Sequence, residues 1–188
     1  MSVQPKTRYT LQEYLDLERS REARHEFLNG DVFAMGGASW PHALIVSNLI
    51  ASLKRPLRKR GCHVTSNDLR VKVSVTGLYT YPDITVVCGK PQLEQPGDTL
   101  LNPQAIVEVL SDSTEAYDRG KKFEHYRAIE SLTDYLLVSQ DKVLIEHYNR
   151  QPDGRWIYSA TNKVADSVSI ATLGCVLSLA EVYDNVEA

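Results

Sequence analysis

Two acidic residues interrupt stretches that otherwise have the composition of buried β-strands. Glu108 lies in the middle of the apolar run 105–110, and Asp83 lies near the start of the run 82–87. Both runs are short and rich in β-branched residues, which favours interior strands over helices. Because an isolated ionised carboxylate in a protein core costs too much free energy to persist, each acid must be neutralised, paired or bound to a cation.

Two interpretations of these acids remain open from their positions alone. Mg²⁺ is usually held by one or two carboxylates plus water molecules, so two acids on neighbouring strands predict a site for a hard metal ion. The alternative is that each acid forms a structural ion pair, for which Arg70 or Lys72 would supply the cation. The choice between them depends on what else the chain brings to these strands.

The composition indicates an ordinary globular protein. The chain has 188 residues, enough for one domain over 1–188 with a substantial core. No run of about 20 apolar residues is present, so we expect no membrane-spanning helix. The first residues lack the apolar segment of a signal peptide, and we expect a cytoplasmic protein. The net charge of -3 means that any DNA binding requires a local basic patch.

The cysteines form no recognisable motif. Cys62, Cys88 and Cys175 are widely spaced, and no C-x-x-C pair is present. An odd number of cysteines without metal-ligand spacing is typical of buried thiols in a reducing compartment. We therefore expect neither a disulfide nor a zinc site.

The periodicity of apolar residues predicts helices and strands without an internal repeat. The Asn29-Gly30 dipeptide between two short apolar runs is a strong hairpin signal. Helices are predicted at about 10–20, 40–60 and 116–130, with a helical turn at about 179–185. Strands are predicted in the hairpin of 26–35, at 69–75, around Asp83 and Glu108, and at 136–138, 143–145, 156–158 and 168–171, with a loop at 89–103. This order predicts an α/β protein with a mixed central sheet flanked by helices.

A lysine on the predicted helix at 116–130 falls on its inward face. At about 100° per residue, Phe123, Tyr126 and Ile129 define an apolar stripe, and Lys122 lies near its centre. A lysine on such a stripe indicates an acid partner or a cleft, because lysine is rarely buried alone. An i,i+4 pair with Asp118 and snorkelling are the alternatives. Since the helix directly follows the Glu108 strand, we expect Lys122 to meet the carboxylates.

An aspartate, a glutamate and a lysine around one metal ion suit phosphodiester hydrolysis. The carboxylates hold Mg²⁺, which neutralises charge in the transition state and lowers the pKa of a bound water molecule. The lysine orients or helps to deprotonate that water and stabilises the developing negative charge. The same residue types therefore indicate a nuclease.

The order of these motifs resembles the Uma2 family, also called DUF820, of the PD-(D/E)xK restriction-endonuclease-like superfamily. The resemblance rests on Tyr81-Pro82-Asp83-Ile84, on 106–111, and on 118–122 followed by Tyr126. It extends to the segment 26–31, to His42 and to the segment 134–138, and it covers about 10 to 180 of the chain. No single motif is decisive, and the specificity lies in their order and spacing.

The resemblance implies a Mg²⁺-dependent endonuclease acting on DNA, with Mn²⁺ as an alternative ion. Asp83 matches the Asp of the PD element and Glu108 its acidic partner, and the backbone carbonyl of Val109 is implied as a further metal ligand. The usual lysine of the superfamily lies two residues after the acid, where this chain has Leu110. A lysine that has migrated to the next helix is implied instead. That residue would be Lys122, with Glu26 as an additional acid.

Basic residues indicate where a nucleic acid would bind. His42 begins the second predicted helix, where it is either a phosphate or water ligand or an ordinary helix-start histidine. Five cations within seven residues exceed what the helix dipole requires and predict a contact with the phosphate backbone. They are Lys54, Arg55, Arg58, Lys59 and Arg60. Arg119 and Lys121 are predicted to extend the same surface. No aromatic stacking platform is visible in the sequence.

Other chemistries and partners are less well supported. Neither a Walker motif nor a G-x-G-x-x-G segment is present, so we expect no nucleotide cofactor. Cutting both strands of a duplex requires two active sites, so we expect a homodimer acting on duplex or branched DNA. Two alternatives remain: a catalytically inactive nucleic-acid-binding module that keeps the nuclease fold, and a protein-interaction domain.

Overall fold

The computed structural model describes residues 8–20 and 23–187. Within those ranges it contains five α-helices, one π-helical turn and fourteen strands. The helices are α1 (Leu11–Ser20), α2 (Trp40–Arg58), α3 (Glu115–Tyr117), α4 (Phe123–Tyr126) and α5 (Leu179–Val182), with the π-helical turn at Asp118–Lys122. The strands are β1 (His25–Leu28), β2 (Asp31–Ala34), β3 (Cys62–Ser66), β4 (Arg70–Val73), β5 (Leu78–Thr80), β6 (Ile84–Cys88), β7 (Leu93–Glu94), β8 (Thr99–Leu100), β9 (Ala105–Leu110), β10 (Asp134–Ser139), β11 (Ile145–Arg150), β12 (Trp156–Thr161), β13 (Ser167–Ile170) and β14 (Cys175–Ser178).

The strands form two six-stranded sheets and a separate two-stranded sheet of β13 and β14. Sheet 1 has the order β2-β1-β5-β4-β8-β7, and sheet 2 has the order β12-β11-β10-β9-β6-β3. Each of them is mixed, because β4 runs parallel to β8 and β9 runs parallel to β10 while their other neighbours are antiparallel. The predicted class, a mixed α/β fold with flanking helices, is confirmed, and a second mixed sheet is added to it.

Sheet 2 is covered on both faces, which explains why its central strands are apolar almost throughout. One face, which includes Val107 of β9, packs against α2 through Leu49 and its neighbours. The opposite face, which includes Ile106 and Leu110, packs against sheet 1 and α4. Because side chains alternate along a strand, Glu108 is directed to this second face, toward sheet 1.

Three local predictions from the sequence are confirmed. The predicted helices at about 10–20 and 40–60 correspond to α1 and α2. The β1–β2 hairpin turns through Asn29 and Gly30, whose φ angles of 52° and 93° are those of a type I′ turn. Each of these elements is specified by residues close together in the chain, which is why the sequence alone predicts it.

Two element predictions in sheet 1 are wrong in detail. The loop predicted at 89–103 contains the short strands β7 and β8, which join the edge of sheet 1. The strand predicted at 69–75 ends at Val73, because the backbone N–H groups of Thr76 and Gly77 turn back to the carbonyl of Val73. Val75, expected on the inward face of that strand, is consequently 77% exposed.

The expectation of three reduced thiols is also wrong. Cys62 and Cys88 lie directly opposite each other on β3 and β6 and form a disulfide, whereas Cys175 is a buried free thiol. The cysteines 26 residues apart become neighbours only because β3 pairs antiparallel with β6 in this register. Among the described residues, no helix is both long and apolar enough to cross a membrane.

Candidate active site

The two acids from which the sequence prediction began lie side by side in sheet 2. Asp83 directly precedes β6, and Glu108 lies in β9, which pairs with β6. The backbone N–H of Val109 donates to Asp83 Oδ2 at 2.8 Å, and the backbone N–H of Asp83 donates to Glu108 Oε2 at 3.3 Å. Asp83 therefore binds the backbone of the residue after Glu108, and Glu108 binds the backbone of Asp83, so these two hydrogen bonds hold the carboxylates next to each other.

The ammonium group of Lys122 meets the carboxylates, as its helical phase predicts. Its Nζ atom lies 3.0 Å from Glu108 Oε1, 3.2 Å from Glu26 Oε1 and 3.3 Å from Asp118 Oδ1. The i,i+4 pair with Asp118 thus exists together with the contact to the strand acid, and the two interpretations do not exclude each other. Lys122 is only 6% exposed, so all of these charges share a poorly solvated space.

The cations proposed as ion-pair partners for the strand acids are engaged elsewhere. Arg70 forms an ion pair with Asp98 at 2.6 Å, and Lys72 forms one with Glu94. Both lie on β4 of sheet 1. The ion-pair interpretation of Glu108 is therefore satisfied by Lys122, not by either of the residues that the sequence suggested.

The segment that carries Lys122 is not the regular helix that the sequence predicts. The predicted helix at 116–130 is divided into α3, the π-helical turn and α4, and it ends at Tyr126. Within the turn, Asp118 and Lys122 are buried while Lys121 is exposed. Phe123 stacks on Tyr135 of β10 with ring centroids 5.2 Å apart, and this packing holds the segment against sheet 2. π-Helical turns often occur at functional sites.

Glu26 reaches the cluster from sheet 1. It lies on β1, is 8% exposed, and accepts a hydrogen bond from the hydroxyl of Thr80 on β5 in addition to its ion pair with Lys122. The structure therefore brings this predicted additional acid to the other three carboxylates. A role for Glu26 in catalysis stays a prediction.

His42 contacts an acid of the site. Ser39 caps α2 by accepting a hydrogen bond from the backbone N–H of His42, and the imidazole Nε2 lies 3.1 Å from Asp83 Oδ1. The histidine is thus not an isolated, exposed residue at the helix start. It is a partner of the predicted metal-binding aspartate, and binding of nucleic acid by His42 stays a prediction.

Sequence reasoning missed one direct partner of the site and undervalued another. The hydroxyl of Tyr126 donates to Glu108 Oε1 at 2.8 Å, although the sequence gave Tyr126 a place on the apolar stripe and in the family resemblance but no polar partner. Asp118, for which a turn or cap role was the default, is 2% exposed and faces Lys122. The available signal was the spacing of four residues that places Asp118, Lys122 and Tyr126 along one helical face.

The cluster contains more negative than positive charge. Burial raises the pKa of Glu108 to about 8, and Asp118 and Asp83 add to the rise while Lys122 and Tyr126 oppose it. Burial also raises the pKa of Asp118. For Lys122 burial favours the neutral amine, but Glu108, Tyr126, Glu26 and Asp118 together raise its pKa well above 10.5. Lys122 is therefore charged at neutral pH, and the cluster as a whole favours an additional proton or cation.

The donor chemistry of the cluster fits a divalent cation. Asp83 and Glu108 offer carboxylate oxygens, the ligands that Mg²⁺ prefers, at a place where negative charge is undercompensated. Within residues 8–20 and 23–187, no group of three or more His, Cys, Asp or Glu side chains is arranged to hold a metal ion. A metal ion would therefore depend on these two carboxylates, a main-chain oxygen and water. Ligation by the carbonyl of Val109 stays a prediction.

The site is largely closed to solvent. The side chains of Glu108, Asp118 and Lys122 are 3–7% exposed, whereas those of Asp83 and His42 are 12% and 15% exposed. The side chain of Glu26 is 11% exposed, so Asp83 and Glu26 are the acids of the cluster most accessible to solvent.

The basic cluster lies far from the acids along α2. Lys54, Arg55, Arg58, Lys59 and Arg60 are all exposed. At 1.5 Å per residue, the part of the cluster within α2 lies about 18–24 Å from His42 along the helix axis. The guanidinium of Arg60 rests on Gly174, where a Cβ would come within 2.3 Å of it. Contact of these residues with nucleic acid stays a prediction.

The expectation that Arg119 and Lys121 extend this basic surface is wrong. α2 packs on one face of sheet 2, and the segment 118–126 packs on the other face. The guanidinium of Arg119 also pairs with Glu115 at 2.8 Å and with Glu146. Its charge is balanced locally, and of these two residues Lys121 is the exposed one.

The chain matches a family model and is similar to two proteins of one Synechocystis strain. Residues 11–180 match the model of the Uma2 family, described as "Putative restriction endonuclease". An uncharacterized protein of Synechocystis sp. (strain ATCC 27184 / PCC 6803 / Kazusa) is 35% identical over 172 residues, which are 92% of this chain and 90% of that protein. A second uncharacterized protein of the same strain is 32% identical over 149 residues, 79% of this chain and 84% of that protein.

A solved structure shares the fold. The crystal structure of a "putative nuclease belonging to DUF820" from Anabaena variabilis ATCC 29413 superimposes with a TM-score of 0.71 at 19% sequence identity, covering 93% of this chain and 97% of that chain. This match shows a restriction-endonuclease-like fold. The family match includes all the residues that build the acid cluster, which lie between Glu26 and Tyr126. The chain therefore belongs to the Uma2 family.

Proposed function

We propose that this protein is a Mg²⁺-dependent endonuclease that hydrolyses phosphodiester bonds in DNA. One observation carries the proposal: Asp83, Glu108 and Lys122 lie on three separate segments of the chain and come together in the fold. Lys122 Nζ is 3.0 Å from Glu108 Oε1, and Asp83 is hydrogen-bonded to Glu108. The descriptions of the family as a "Putative restriction endonuclease" and of the DUF820 structure as a putative nuclease support a nuclease.

Asp83 and Glu108 are the residues that would hold the ion, which is Mg²⁺ or alternatively Mn²⁺. When bound, the ion supplies charge neutralisation and lowers the pKa of a coordinated water molecule. His42 and the backbone N–H of Val109 keep the Asp83 carboxylate oriented, and Tyr126 does the same for Glu108. Both acids are therefore held in place before any ligand arrives, as preorganised catalysis requires.

Lys122 acts as a fixed positive charge in this proposal. Because its pKa is raised well above 10.5, it does not accept a proton from water at neutral pH. Its ammonium group instead orients the attacking water by donating hydrogen bonds and stabilises the charge that develops on the phosphate oxygens. Glu26 and Asp118 also contact the ammonium, so they would keep Lys122 in the site if Glu108 held a metal ion.

The proposed substrate is duplex or branched DNA. The exposed cations at the C-terminal end of α2 would contact the phosphate backbone some 20 Å from the cleaved bond. This distance corresponds to several phosphates along one strand, since successive base pairs are about 3.4 Å apart. Cleavage of both strands of a duplex would require two copies of the site, and hence a homodimer.

A catalytically inactive nucleic-acid-binding or protein-interaction module is the second candidate. The observation that favours it is the closed cluster itself, in which Glu108 is already paired with Lys122 and only 4% exposed. A protein without catalysis could retain such ion pairs for structural reasons alone. The two candidates differ in whether metal binds at Asp83 and Glu108 and whether DNA is cut there.

A plasmid assay distinguishes the two candidates. Supercoiled DNA is incubated with Mg²⁺, Mn²⁺, Ca²⁺ or EDTA and with the wild-type protein, Glu108→Ala or Lys122→Ala. We expect cutting with Mg²⁺ or Mn²⁺ only, reduced at least 100-fold in both variants, because each removes a group that acts in the transition state. Lys121→Ala is the matched control, since its exposed side chain lies next to Lys122 in the chain. Cutting that survives both site substitutions, or no cutting with any ion, would contradict the proposal.

A binding measurement tests the metal ion without relying on activity. We expect Mg²⁺ or Mn²⁺ to raise the melting temperature of the wild-type protein and not that of Asp83→Asn. The rise is expected to be larger at pH 8 than at pH 6, because Glu108 must lose its proton to bind the ion. Equal shifts for both proteins would place the ion elsewhere.

A further inference from the structure

Glu146 is a buried acid outside the cluster of Asp83, Glu108 and Lys122. It lies on β11 and is only 7% exposed. Leu137 of β10 faces Glu108 of β9 on one side and Glu146 on the other. The two glutamates therefore occupy one row across sheet 2, and their side chains point to the same face of it. Because neighbouring strands are about 4.8 Å apart, the Cα atoms of these two acids are separated by roughly 10 Å.

Two cations of one short segment match this row of acids. The guanidinium of Arg119 pairs with Glu146, and the Nζ atom of Lys122 lies 3.0 Å from Glu108 Oε1. Both cations belong to the π-helical turn of Asp118–Lys122. The turn is therefore joined by ion pairs to β9 and to β11, the strands on either side of β10.

Both members of the Arg119–Glu146 pair are held by further contacts. The hydroxyl of Tyr158 on β12 donates to Glu146 Oε1 at 2.8 Å. Arg119 also donates from Nη2 to Oε1 of Glu115 on α3 at 2.8 Å. The pair is mostly shielded from solvent, since the side chains of Arg119 and Glu146 are 28% and 9% exposed. It therefore has a defined geometry, unlike the flexible ion pairs of an exposed surface.

The acids that bind the ammonium of Lys122 do not by themselves fix the backbone of the turn on sheet 2. Asp118 lies on the turn itself, and Glu26 lies on β1 of sheet 1. The contact with Glu108 is made at the end of a flexible four-carbon side chain, which can reach its partner from several backbone positions. The place of the ammonium therefore depends on other contacts that fix the turn.

Contacts to β10 and β11 fix the backbone around Lys122. Tyr135 of β10 donates from its hydroxyl to the carbonyl of Asp118 at 3.0 Å, and its ring stacks on Phe123. These contacts hold the turn at a single residue of sheet 2, about which the segment could still tilt. The ion pair of Arg119 adds a second attachment on β11 and removes this freedom. π-Helical turns are rare, so the regular helix is the alternative that such contacts must exclude.

We propose that Glu146 is a positioning residue: through Arg119 it fixes the π-helical turn on sheet 2, so that the ammonium of Lys122 meets Glu108. The inference deepens the proposed nuclease function and rests on it for the effect on the reaction. Glu146 and Arg119 do not themselves touch the reacting atoms. Without their ion pair the turn tilts and the ammonium is displaced, and a misplacement of about 1 Å lowers the rate of a reaction by up to about 100-fold.

Hydrogen exchange tests the attachment of the turn without relying on activity. In Glu146→Gln, the backbone amides of 118–123 should exchange about tenfold faster or more than in the wild-type protein, because the turn opens locally more often. Val168→Ala is the control for a general loss of stability, since Val168 is buried in the core on the opposite face of sheet 2. It should not accelerate exchange selectively at 118–123. Equal exchange of this segment in Glu146→Gln and the wild-type protein would overturn the proposal, even if the protein cuts DNA.

Steady-state cleavage of a short labelled duplex with Mg²⁺ tests the effect on the reaction. We expect Glu146→Gln and Arg119→Gln to lower kcat roughly 10- to 100-fold and to change KM by less than about twofold, because the cations proposed to bind DNA are unchanged. Arg119→Lys should retain more of kcat than Arg119→Gln, since it keeps a positive charge beside Glu146. Glu124→Gln, which alters an exposed acid two residues after Lys122, is the matched control and should keep the wild-type kcat.

The outcomes separate this inference from the nuclease proposal. An unchanged kcat in Glu146→Gln, with a wild-type protein that cuts DNA, would overturn the positioning role and leave the nuclease proposal standing. A wild-type protein that cuts no DNA would overturn the nuclease proposal, and with it any role of Glu146 in the reaction. Hydrogen exchange at 118–123 would still decide whether Glu146 fixes the turn.

Discussion

The two ends of α2 place charged residues in opposite environments. At its N-terminal end His42 contacts Asp83, beside a buried cluster in which Glu108 and Lys122 are 4% and 6% exposed. At its C-terminal end the basic residues of 54–60 are in solvent. Charges interact strongly where water is excluded and weakly where they are solvated and screened by salt. Charged residues should therefore determine stability and chemistry near the N-terminal end of α2. At its C-terminal end they should affect only association with a polyanion.

The largest effect that would test this contrast is the loss of the buried cation. Lys122→Met should destabilise the protein by about 3–5 kcal/mol, because it leaves carboxylates buried without their partner. Lys121→Met should change stability by less than about 0.5 kcal/mol, since Lys121 is exposed. Urea denaturation at pH 7 measures both. Similar changes in the free energy of unfolding for the two variants would mean that the burial of Lys122 does not contribute to stability.

The pH dependence of stability gives the next largest effect. The pKa of Glu108 is raised from 4.5 to about 8 in the folded protein, so the folded state binds the proton more tightly than the unfolded state. Stability contributed by this proton is present below pH 4.5 and is lost as the pH rises to about 8. Over this range we expect the free energy of unfolding to fall by roughly 5 kcal/mol on account of Glu108.

Glu108→Gln should remove that part of the pH dependence, because glutamine does not titrate. Chemical denaturation of both proteins at pH 5, 6, 7 and 8 without metal ions measures the difference. A wild-type curve parallel to that of Glu108→Gln would mean that Glu108 ionises normally in the folded protein. The raised pKa would then not be a property of this cluster.

A smaller effect is expected from the hydrogen bond that the sequence did not reveal. Tyr126→Phe removes the donor to Glu108 Oε1 while keeping the ring packed against Tyr135 at 5.3 Å. We expect a loss of about 1–2 kcal/mol, because the acceptor is a buried acid. Tyr158→Phe, which removes a hydroxyl bonded to Glu146 from a half-exposed ring, is the control and should cost less. Thermal unfolding compares the two.

The basic end of α2 should affect stability least. Arg55→Ala and Arg58→Ala together should change the free energy of unfolding by no more than about 0.5 kcal/mol, because both side chains are exposed. If these residues contact DNA phosphates, the slope of log binding constant against log salt concentration should decrease by about 0.9 for each. Fluorescence anisotropy with labelled duplex at several salt concentrations measures the slope. An unchanged slope would exclude this part of α2 from the DNA contact.

Several features were predictable because they depend on residues near one another in the chain. α1, α2 and the Asn29-Gly30 hairpin follow from caps, periodicity and turn chemistry. The need of Asp83 and Glu108 for a partner or a cation follows from the free-energy cost of burying a charge within an apolar strand. The inward direction of Lys122 follows from helical phase, even though the helix is interrupted by a π-helical turn.

Other features depend on which strands become neighbours, which local sequence patterns do not encode. The disulfide of Cys62 with Cys88 exists because β3 and β6 pair in one register. The separation of Arg119 from the basic end of α2 exists because sheet 2 lies between them.

The sequence by itself determined that two acids had to be compensated within the core and that a lysine faced inward on a nearby segment. Only the tertiary structure decided which charges compensate which, since Glu26 arrives from a different sheet and Arg70 pairs elsewhere. The physical reason is that the cost of burying a charge depends on the residue and its immediate apolar neighbours. Its compensation depends on distances of about 3 Å between segments far apart in the chain, which are set when the two sheets pack together.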